Sequence, residues 1–204
     1  MSMRVKRAFT LCGLTTVLSL GLLPLSRASA AEYIYDQEKS RVGFTLRHLG
    51  LVTVEGHFKT FSGSFRFDRR NIEASRVNIA IRAATVDSGI PFRDRHLRSE
   101  NFFAAEKYPE IRFESKKAGA MHNNRFNVEG DLTIHGITQP VIFETVLLTE
   151  SWKMNGTQII AFRAHTFIKR KDFRLGTGKW IDPILFVTDE TLKISLEIEG
   201  VPSS

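Results

Sequence analysis

The chain has 204 residues, of which 42% are hydrophobic and 25% charged, and its formal net charge is +7. This length is enough for one hydrophobic core, and no linker, low-complexity tract or long charge run indicates a second domain. Lysines and arginines are interspersed with acids instead of forming a basic stripe, so the charge pattern argues against a nucleic-acid-binding protein.

The N-terminus has the pattern of a secretory signal peptide. Arg4, Lys6 and Arg7 precede an apolar run over residues 8–25, and Ala28-Ser29-Ala30 follow it as a small-residue cleavage site. A permanent membrane anchor is the alternative, but glycines and a proline interrupt the run and no stop-transfer cluster follows it. We therefore expect residues 1–30 to be removed near Ala30, and residues 31–204 to form a single periplasmic domain without permanent membrane insertion.

Cleavage would change both the charge and the cysteine content. The signal contains four basic residues and no acid, so 25 basic and 22 acidic residues would remain and the net charge would be +3. Cys12 is the only cysteine and lies within the signal. The mature domain would therefore have neither disulfides nor thiolate metal ligands, and its stability would come from an ordinary core.

Alternation of apolar and polar residues predicts about eight β-strands in the mature chain. Residues 125–134 are the clearest case, with Phe126, Val128 and Leu132 on one face and polar residues on the other. The other inward series are Val42, Phe44 and Leu46; Phe65 and Phe67; Val77, Ile79 and Ile81; Ile111 and Phe113; Val141, Phe143 and Leu147; Ile160, Phe162 and Ile168; and Leu192, Ile194, Leu196 and Ile198. Short polar turns and the lack of helical crossovers indicate an all-β, antiparallel, mostly up-and-down fold. The pattern fits either a sandwich or a closed barrel, and closure would remove exposed edges.

An insert of charged and aromatic residues interrupts this pattern. Nearly twenty residues separate Ile90 from Pro109, far more than a strand turn needs, which indicates a lid or plug. Asp94 and Ser99 are candidate caps of a short helix in this insert. The apolar residues of the helix would bury against the end of the strand-built core, so we expect the insert to cap one mouth.

Motifs for catalysis or metal binding are missing from the sequence. The six histidines show no HxH, HxxxH or HExxH spacing, and there is no GxSxG elbow, phosphate loop or dinucleotide fingerprint. We therefore expect no metal site, no cofactor and no catalytic residues. Asp94 with His96 is the most plausible acid–base pair, although Asp94 more commonly would cap the helix or pair with Arg93 or Arg98.

Phenylalanine is the residue type that stands out. The chain has 16, of which Phe9 would leave with the signal, and many lie on the face assigned inward. Such rings can fill a core, or they can line an apolar tunnel for a ligand that is mostly hydrocarbon. Small barrels do both, so the residues alone leave filled core and tunnel open.

Four ordered blocks carry a resemblance to a known family. They are Tyr35-Asp36, Ser40, Val42, Phe44, His48, Gly56, Phe58 and residues 63–68; Arg93-Asp94, His96-Leu97, Phe102-Phe103, Tyr108-Pro109, Ile111, Phe113 and Ser115; residues 130–136 with Thr138; and Arg170 with Asp172-Phe173. Together they span essentially all of the mature chain and resemble the YceI-like family of exported lipid- and polyisoprenoid-binding proteins. Lys39 and Arg174 stand where a histidine and a glycine are common in that family, which affects turn geometry and surface charge more than the fold.

The resemblance implies a lipocalin-like barrel in the periplasm that carries or sequesters a long-chain isoprenoid or fatty-acid-like lipid, and it favours the tunnel. The apolar residues expected to bind the lipid are Phe44, Leu46, Phe65, Phe67, Ile79, Phe113, Phe126, Phe143, Phe162 and Ile194. A polar head group is expected at a barrel mouth, near Arg93, His96 or Arg170. The identity of the lipid and a homodimer stay open. An enzyme acting on a bound lipid and a filled barrel serving as a structural or stress-response module are the alternatives.

Overall fold

The structure of the protein is a computed structural model that describes residues 31–48, 52–152, 156–176 and 188–203. The expected signal peptide lies outside the described residues, so its cleavage stays a prediction. The described strands are β1 (Glu32–Tyr35), β2 (Arg41–His48), β3 (Val52–Phe58), β4 (Phe61–Arg66), β5 (Arg76–Arg82), β6 (Val86–Asp87), β7 (Glu110–Ala118), β8 (Arg125–Ile134), β9 (Ile137–Trp152), β10 (Gln158–Lys169) and β11 (Thr188–Pro202). Helix α1 (Pro91–Arg98) lies between β6 and β7, and short 3-10 turns cover Ile72–Ala74, Ala83–Thr85 and Arg170–Phe173. Within the described ranges, no helix has the length and apolar character needed to cross a membrane.

The strands combine into a closed barrel of eight antiparallel long strands, three of which are interrupted. β1 and β2 act as one interrupted strand because β2 pairs with β3 while β1 pairs with β4. β3 and β4 form the second, and β5 and β6 the third, since β4 pairs with β5 and β3 with β6. β5 pairs with β7, each later strand pairs with the next, and β11 closes the ring on both β1 and β2. The expected lipocalin-like antiparallel barrel is confirmed.

The alternation read from the sequence places the inward side chains correctly. In β8, Phe126, Val128 and Leu132 are buried, whereas Arg125 and Asn127 between and beside them are exposed. A barrel wall has one face inside and one in water, so strand geometry alone places the side chains of every second residue in the interior. The inward faces of all the strands meet in one continuous hydrophobic core.

The connections between strands fall at two ends of the barrel. At one end, here called the insert end, lie residues 88–109, the 135–136 turn and residues 170–176; Gly176 N donates to Asn101 O over 2.8 Å, which joins two of these segments. At the other, called the turn end, lie residues 67–75 and 119–124. The insert is therefore at one mouth, as the sequence indicated.

Of the two residues predicted to cap the helix, Asp94 is not a cap, whereas Ser99 caps the C-terminal end. Helix α1 follows Ile90, and Asp94 lies inside its first turn, where its carboxylate accepts hydrogen bonds from the backbone N–H and hydroxyl of Ser88. Ser99 ends the helix, with its hydroxyl donating to His96 O over 2.8 Å. Pro91 at the first helical position explains the difference, since its fixed φ and missing N–H start a helix without a side-chain cap.

Candidate functional site

The barrel interior contains two small apolar cavities. The larger has a volume of about 80 Å³ and lies toward the turn end. The smaller, about 40 Å³, lies toward the insert end. Seven of the ten apolar residues predicted to bind lipid line the larger cavity: Phe65, Phe67, Ile79, Phe113, Phe126, Phe143 and Phe162. Phe44 and Ile194 line the smaller one, whereas Leu46 is buried but lines neither.

A pair of aromatic rings separates the two cavities. Ile79, Phe113, Phe143 and Leu196 line both, and the Phe113 and Phe143 rings meet edge to face with centroids 4.9 Å apart. Both side chains are buried and project inward from β7 and β9, the two strands that flank β8. The interior is thus one apolar channel that these two rings narrow at its middle.

The insert end of the channel is sealed by phenylalanines. Phe103, which follows α1, packs against Phe44 and Phe58 with ring centroids 6.2 and 5.5 Å apart, and against Phe102 at 5.0 Å. Phe103 N donates to Leu97 O over 3.0 Å, which fixes the turn that points the ring inward. Closure at this end is therefore made by packed aromatic rings.

The three residues predicted to meet a polar head group lie at this sealed end, and none lines either cavity. Arg93 donates through Nε to the Ser88 hydroxyl over 2.8 Å and through its terminal nitrogen to Ser88 O over 2.7 Å. The His96 ring lies 6.5 Å from that of Phe102. Arg170 is buried, lies 5.7 Å from the centre of the Phe102 ring, and has a pKa lowered by burial. Their role in binding stays a prediction, and the contacts that the structure shows for them are structural.

Polar side chains that the sequence analysis missed lie on the larger cavity instead. Thr145 is buried and its hydroxyl donates to Phe143 O over 3.3 Å. Ser75 is also buried and its hydroxyl accepts from Asp68 N. Tyr35 donates to Asn78 O over 2.6 Å, and burial raises its pKa. Thr145 could have been found, because it continues the inward series of β9 two residues after Phe143.

A polar network crosses the turn end. Arg69, in the connection between β4 and β5, donates to Glu150 of β9 over 3.2 Å and to Asn124 over 3.1 Å. Gln158 donates to Glu150 over 3.4 Å and accepts from the Tyr33 hydroxyl over 2.6 Å. The β4–β5 connection and β9 lie on opposite sides of the ring of strands, so Arg69 spans the mouth. The partners are up to 125 residues apart, and no local pattern marks them.

The described residues offer little for catalysis or metal binding. Asp94 and His96, the acid–base pair considered above, line neither cavity. The Asp94 carboxylate already accepts two hydrogen bonds from Ser88. Within the described ranges, no group of three histidine, aspartate or glutamate side chains is placed to hold a metal ion. The expectations of no enzyme and no metal stay predictions.

Comparison with known proteins places the chain in a family. A family model described as a YceI-like domain matches residues 33–200. The chain belongs to the YceI-like domain family. A UPF0312 protein of Photorhabdus laumondii is 41% identical over 169 residues, which cover 80% of this chain and 85% of the relative. A UPF0312 protein of Vibrio parahaemolyticus is 33% identical over 202 residues, which cover 97% of this chain and 99% of the relative.

Solved structures share the YceI-like barrel. BcnA of Burkholderia cenocepacia has a TM-score of 0.73 at 26% identity, covering 81% of this chain and 98% of BcnA. The YceI protein of Campylobacter jejuni has a TM-score of 0.69 at 28% identity, covering 78% of this chain and 90% of its own. A polyisoprenoid-binding domain from Saccharophagus degradans has a TM-score of 0.65 at 18% identity, covering 85% of this chain and 99% of that domain, which shows the common fold.

Proposed function

We propose that this protein is an exported periplasmic carrier that binds a long-chain isoprenoid or similar amphiphile inside the barrel. The observation that carries the proposal is the apolar channel, whose two cavities share four lining residues and are narrowed only by side chains. The polyisoprenoid-binding domain of Saccharophagus degradans, which has the same fold, supports a lipid ligand. The apolar lining would select by length and width, with little polar readout.

The volume of the channel sets a condition on binding. An apolar cavity of about 150 Å³ holds one benzene molecule, so a cavity of 80 Å³ is too small for a long chain as it stands. Loading must therefore move side chains, and the Phe113–Phe143 pair that divides the channel is the first candidate. Each methylene that leaves water contributes about 0.8 kcal/mol, so a chain of many carbons would offset the cost of moving these rings.

We place the head group of the ligand at the turn end, where the larger cavity lies. Thr145 and Ser75 supply hydroxyl groups there, and the one charged residue among the described residues that line the cavity, Arg66, is exposed. The insert end is sealed by Phe103, which leaves the tail to lie toward it. A neutral or weakly polar head group suits this lining better than a fully ionised one, because a buried unpaired charge is costly.

Lipid uptake by purified protein tests the proposal. The full chain is expressed with its own N-terminus, recovered from the periplasm and analysed by native mass spectrometry before and after extraction with organic solvent. We expect an additional mass from a bound ligand that the solvent removes. The protein itself should have the mass of a chain that begins near Ala31. The delipidated protein should then bind a series of straight-chain and isoprenoid alcohols with an affinity that rises about fourfold per methylene until the channel is full.

A matched pair of variants separates cavity binding from surface binding. Phe126→Asp places a carboxylate on the wall of the larger cavity and should lose both stability and lipid uptake. Asn127→Asp places the same carboxylate on the exposed face of β8 and should change neither. Equal uptake by the two variants, or protein that neither contains nor takes up a long-chain lipid, would favour the filled barrel instead.

A further inference from the structure

The turn that leads into α1 carries two exposed apolar side chains. Ile90 and Phe92 flank Pro91 and are 49% and 67% exposed. Gly89, just before them, has φ of 79°, and no atom of the described residues lies within 4 Å of the position that a Cβ would occupy. The segment thus projects into open space, although the rest of the insert buries its apolar residues. Neighbouring apolar side chains on a projecting turn mark an interaction surface more often than scattered ones do.

This projection stands on a fixed base. Asp94 and Leu97, on the opposite side of α1, are buried, and Asp94 is bonded to Ser88. Arg93 also donates to Ser88, so the turn is tied to the helix at two points. A surface held in this way would lose little conformational entropy on contact with a partner.

The same helix face adds positive charge. Arg95 follows Phe92 by three residues, so the two side chains lie on the same side of α1. Arg95 is exposed and makes no hydrogen bond or ion pair with the described part of the chain. Lys59, by contrast, forms an ion pair with Asp87 at 2.6 Å. The groove beside α1 is lined by three basic residues and two acids: Arg95, Arg98 and Lys107 with Glu100 and Glu106. The exposed face is therefore apolar at its tip and positive behind it.

We propose that Ile90, Phe92 and Arg95 form a docking surface for an anionic lipid bilayer. An apolar tip that enters the interface, with an arginine at the level of the head groups, is the arrangement by which peripheral proteins bind such membranes. Docking through this surface presents the insert end to the bilayer. Docking is independent of any ligand in the barrel and of the end through which a ligand would pass.

Two other exposed aromatic residues fit an anionic surface less well. Trp152, 70% exposed, ends β9 two residues after Glu150, which brings a carboxylate to that side of the turn end. Phe167, 60% exposed, lies on the barrel wall with Lys193 over its ring at 6.0 Å, so the nearby cation is already engaged. These two residues provide matched controls for Phe92.

Vesicle flotation with lipid-free protein tests the docking surface. We expect the protein to float with vesicles of phosphatidylglycerol and phosphatidylcholine in equal parts, and much less with phosphatidylcholine alone. Phe92→Ser should weaken binding on the order of tenfold, since most of its transfer free energy is lost. Arg95→Glu should weaken it about as much and should remove most of the salt dependence. Trp152→Ser and Phe167→Ser should bind like the unchanged protein, and all four variants should melt at its temperature.

A fluorescence measurement reports which end touches the bilayer. Residues 31–204 contain no cysteine, so a single environment-sensitive label can be attached at Phe92→Cys or at Trp152→Cys. Contact with the anionic vesicles should brighten and blue-shift the label at position 92 and leave the one at 152 unchanged. The reverse result, or protein that does not float with anionic vesicles, would overturn the proposal and leave a protein partner for this surface. Because neither assay needs lipid uptake, their failure leaves the carrier function unaffected.

Discussion

The two ends of the barrel are closed in different ways. At the insert end a long connection brings Phe102 and Phe103 into the core, where the ring of Phe103 contacts three other phenylalanine rings. At the turn end the connections are shorter, the larger cavity remains, and a polar network led by Arg69 crosses the mouth. Phe67, in the same connection as Arg69, is buried and packs on Phe162 with ring centroids 5.1 Å apart. Closure thus rests on aromatic packing at the insert end, and on aromatic packing together with a polar network at the turn end.

This difference indicates which end can open. Separating packed, buried rings exposes apolar surface at about 25 cal/mol per Å², which amounts to several kcal/mol for two phenylalanines. Breaking a half-exposed ion pair costs about 1 kcal/mol or less. Under the proposed carrier function, we therefore propose the turn end, where the larger cavity lies, as the route of ligand exchange and the insert end as the floor of the channel.

The largest effect should come from the floor. Phe103→Ala removes a ring that is 3% exposed, so it should lower the free energy of unfolding by about 3–5 kcal/mol through lost burial and a new cavity. Denaturant unfolding measures this change. Phe92→Ala, at an exposed position of the same insert, should stay within about 0.5 kcal/mol of the unchanged protein. Equal losses in the two variants would mean that the insert does not seal the barrel.

The features of the fold that depend on sequence periodicity could be predicted, namely the inward faces of the strands and the position of the insert. Alternation identified the inward faces of β2, β8 and β9, because burial on one side of a wall leaves a two-residue repeat. The insert was visible as a break in that repeat. What the sequence could not supply was the filling of the channel, since Phe113 and Phe143 come from different strands and their contact depends on rotamers and register.

The polar residues were harder to place than the apolar ones. Arg93, His96 and Arg170 were assigned to a head group because they are polar and lie in family motifs, but the structure uses them in local contacts at the sealed end. The Arg69 network joins the β4–β5 connection to β9. The sequence pattern does not distinguish a turn residue whose charge is solvated from one whose charge is paired. Such contacts are non-local and carry no periodic signal.

A smaller effect is expected from the wall beside the constriction. Gly130 of β8 lies under the Phe113 ring, and a Cβ there would come within 2.7 Å of the ring and 2.4 Å of Glu114 O. Backbone cannot yield as a side chain can, so Gly130→Ala should cost about 1–3 kcal/mol of stability. It should also push Phe113 into the channel and shorten the longest chain that binds. Gly156→Ala provides the control for adding a methyl group at a glycine, because its Cβ would meet no atom of the described part of the chain within 4 Å, although its φ of 79° adds some strain.

The smallest change in stability, and the most direct test of the open end, is at Arg69. Arg69→Ala should lower the free energy of unfolding by at most about 1 kcal/mol, because the guanidinium and its partner Glu150 are both partly exposed. Stopped-flow uptake of a fluorescent polyene fatty acid should nevertheless accelerate several-fold, and release should accelerate equally, since the mouth opens more often while the bound state is unchanged. High salt should speed the unchanged protein toward the variant.

Two further variants distinguish a gate from a general loosening of the barrel. Exchanging the charges in Arg69→Glu with Glu150→Arg should restore slow uptake, which loss of packing alone would not allow. Arg163→Ala breaks a comparable exposed pair, with Glu197 at 3.0 Å on the barrel wall, and should leave the uptake rate unchanged. Equal acceleration by Arg163→Ala would indicate a general loosening of the barrel instead of a gate at the turn end. Acceleration by Phe103→Ala and not by Arg69→Ala would place the route of ligand exchange at the insert end.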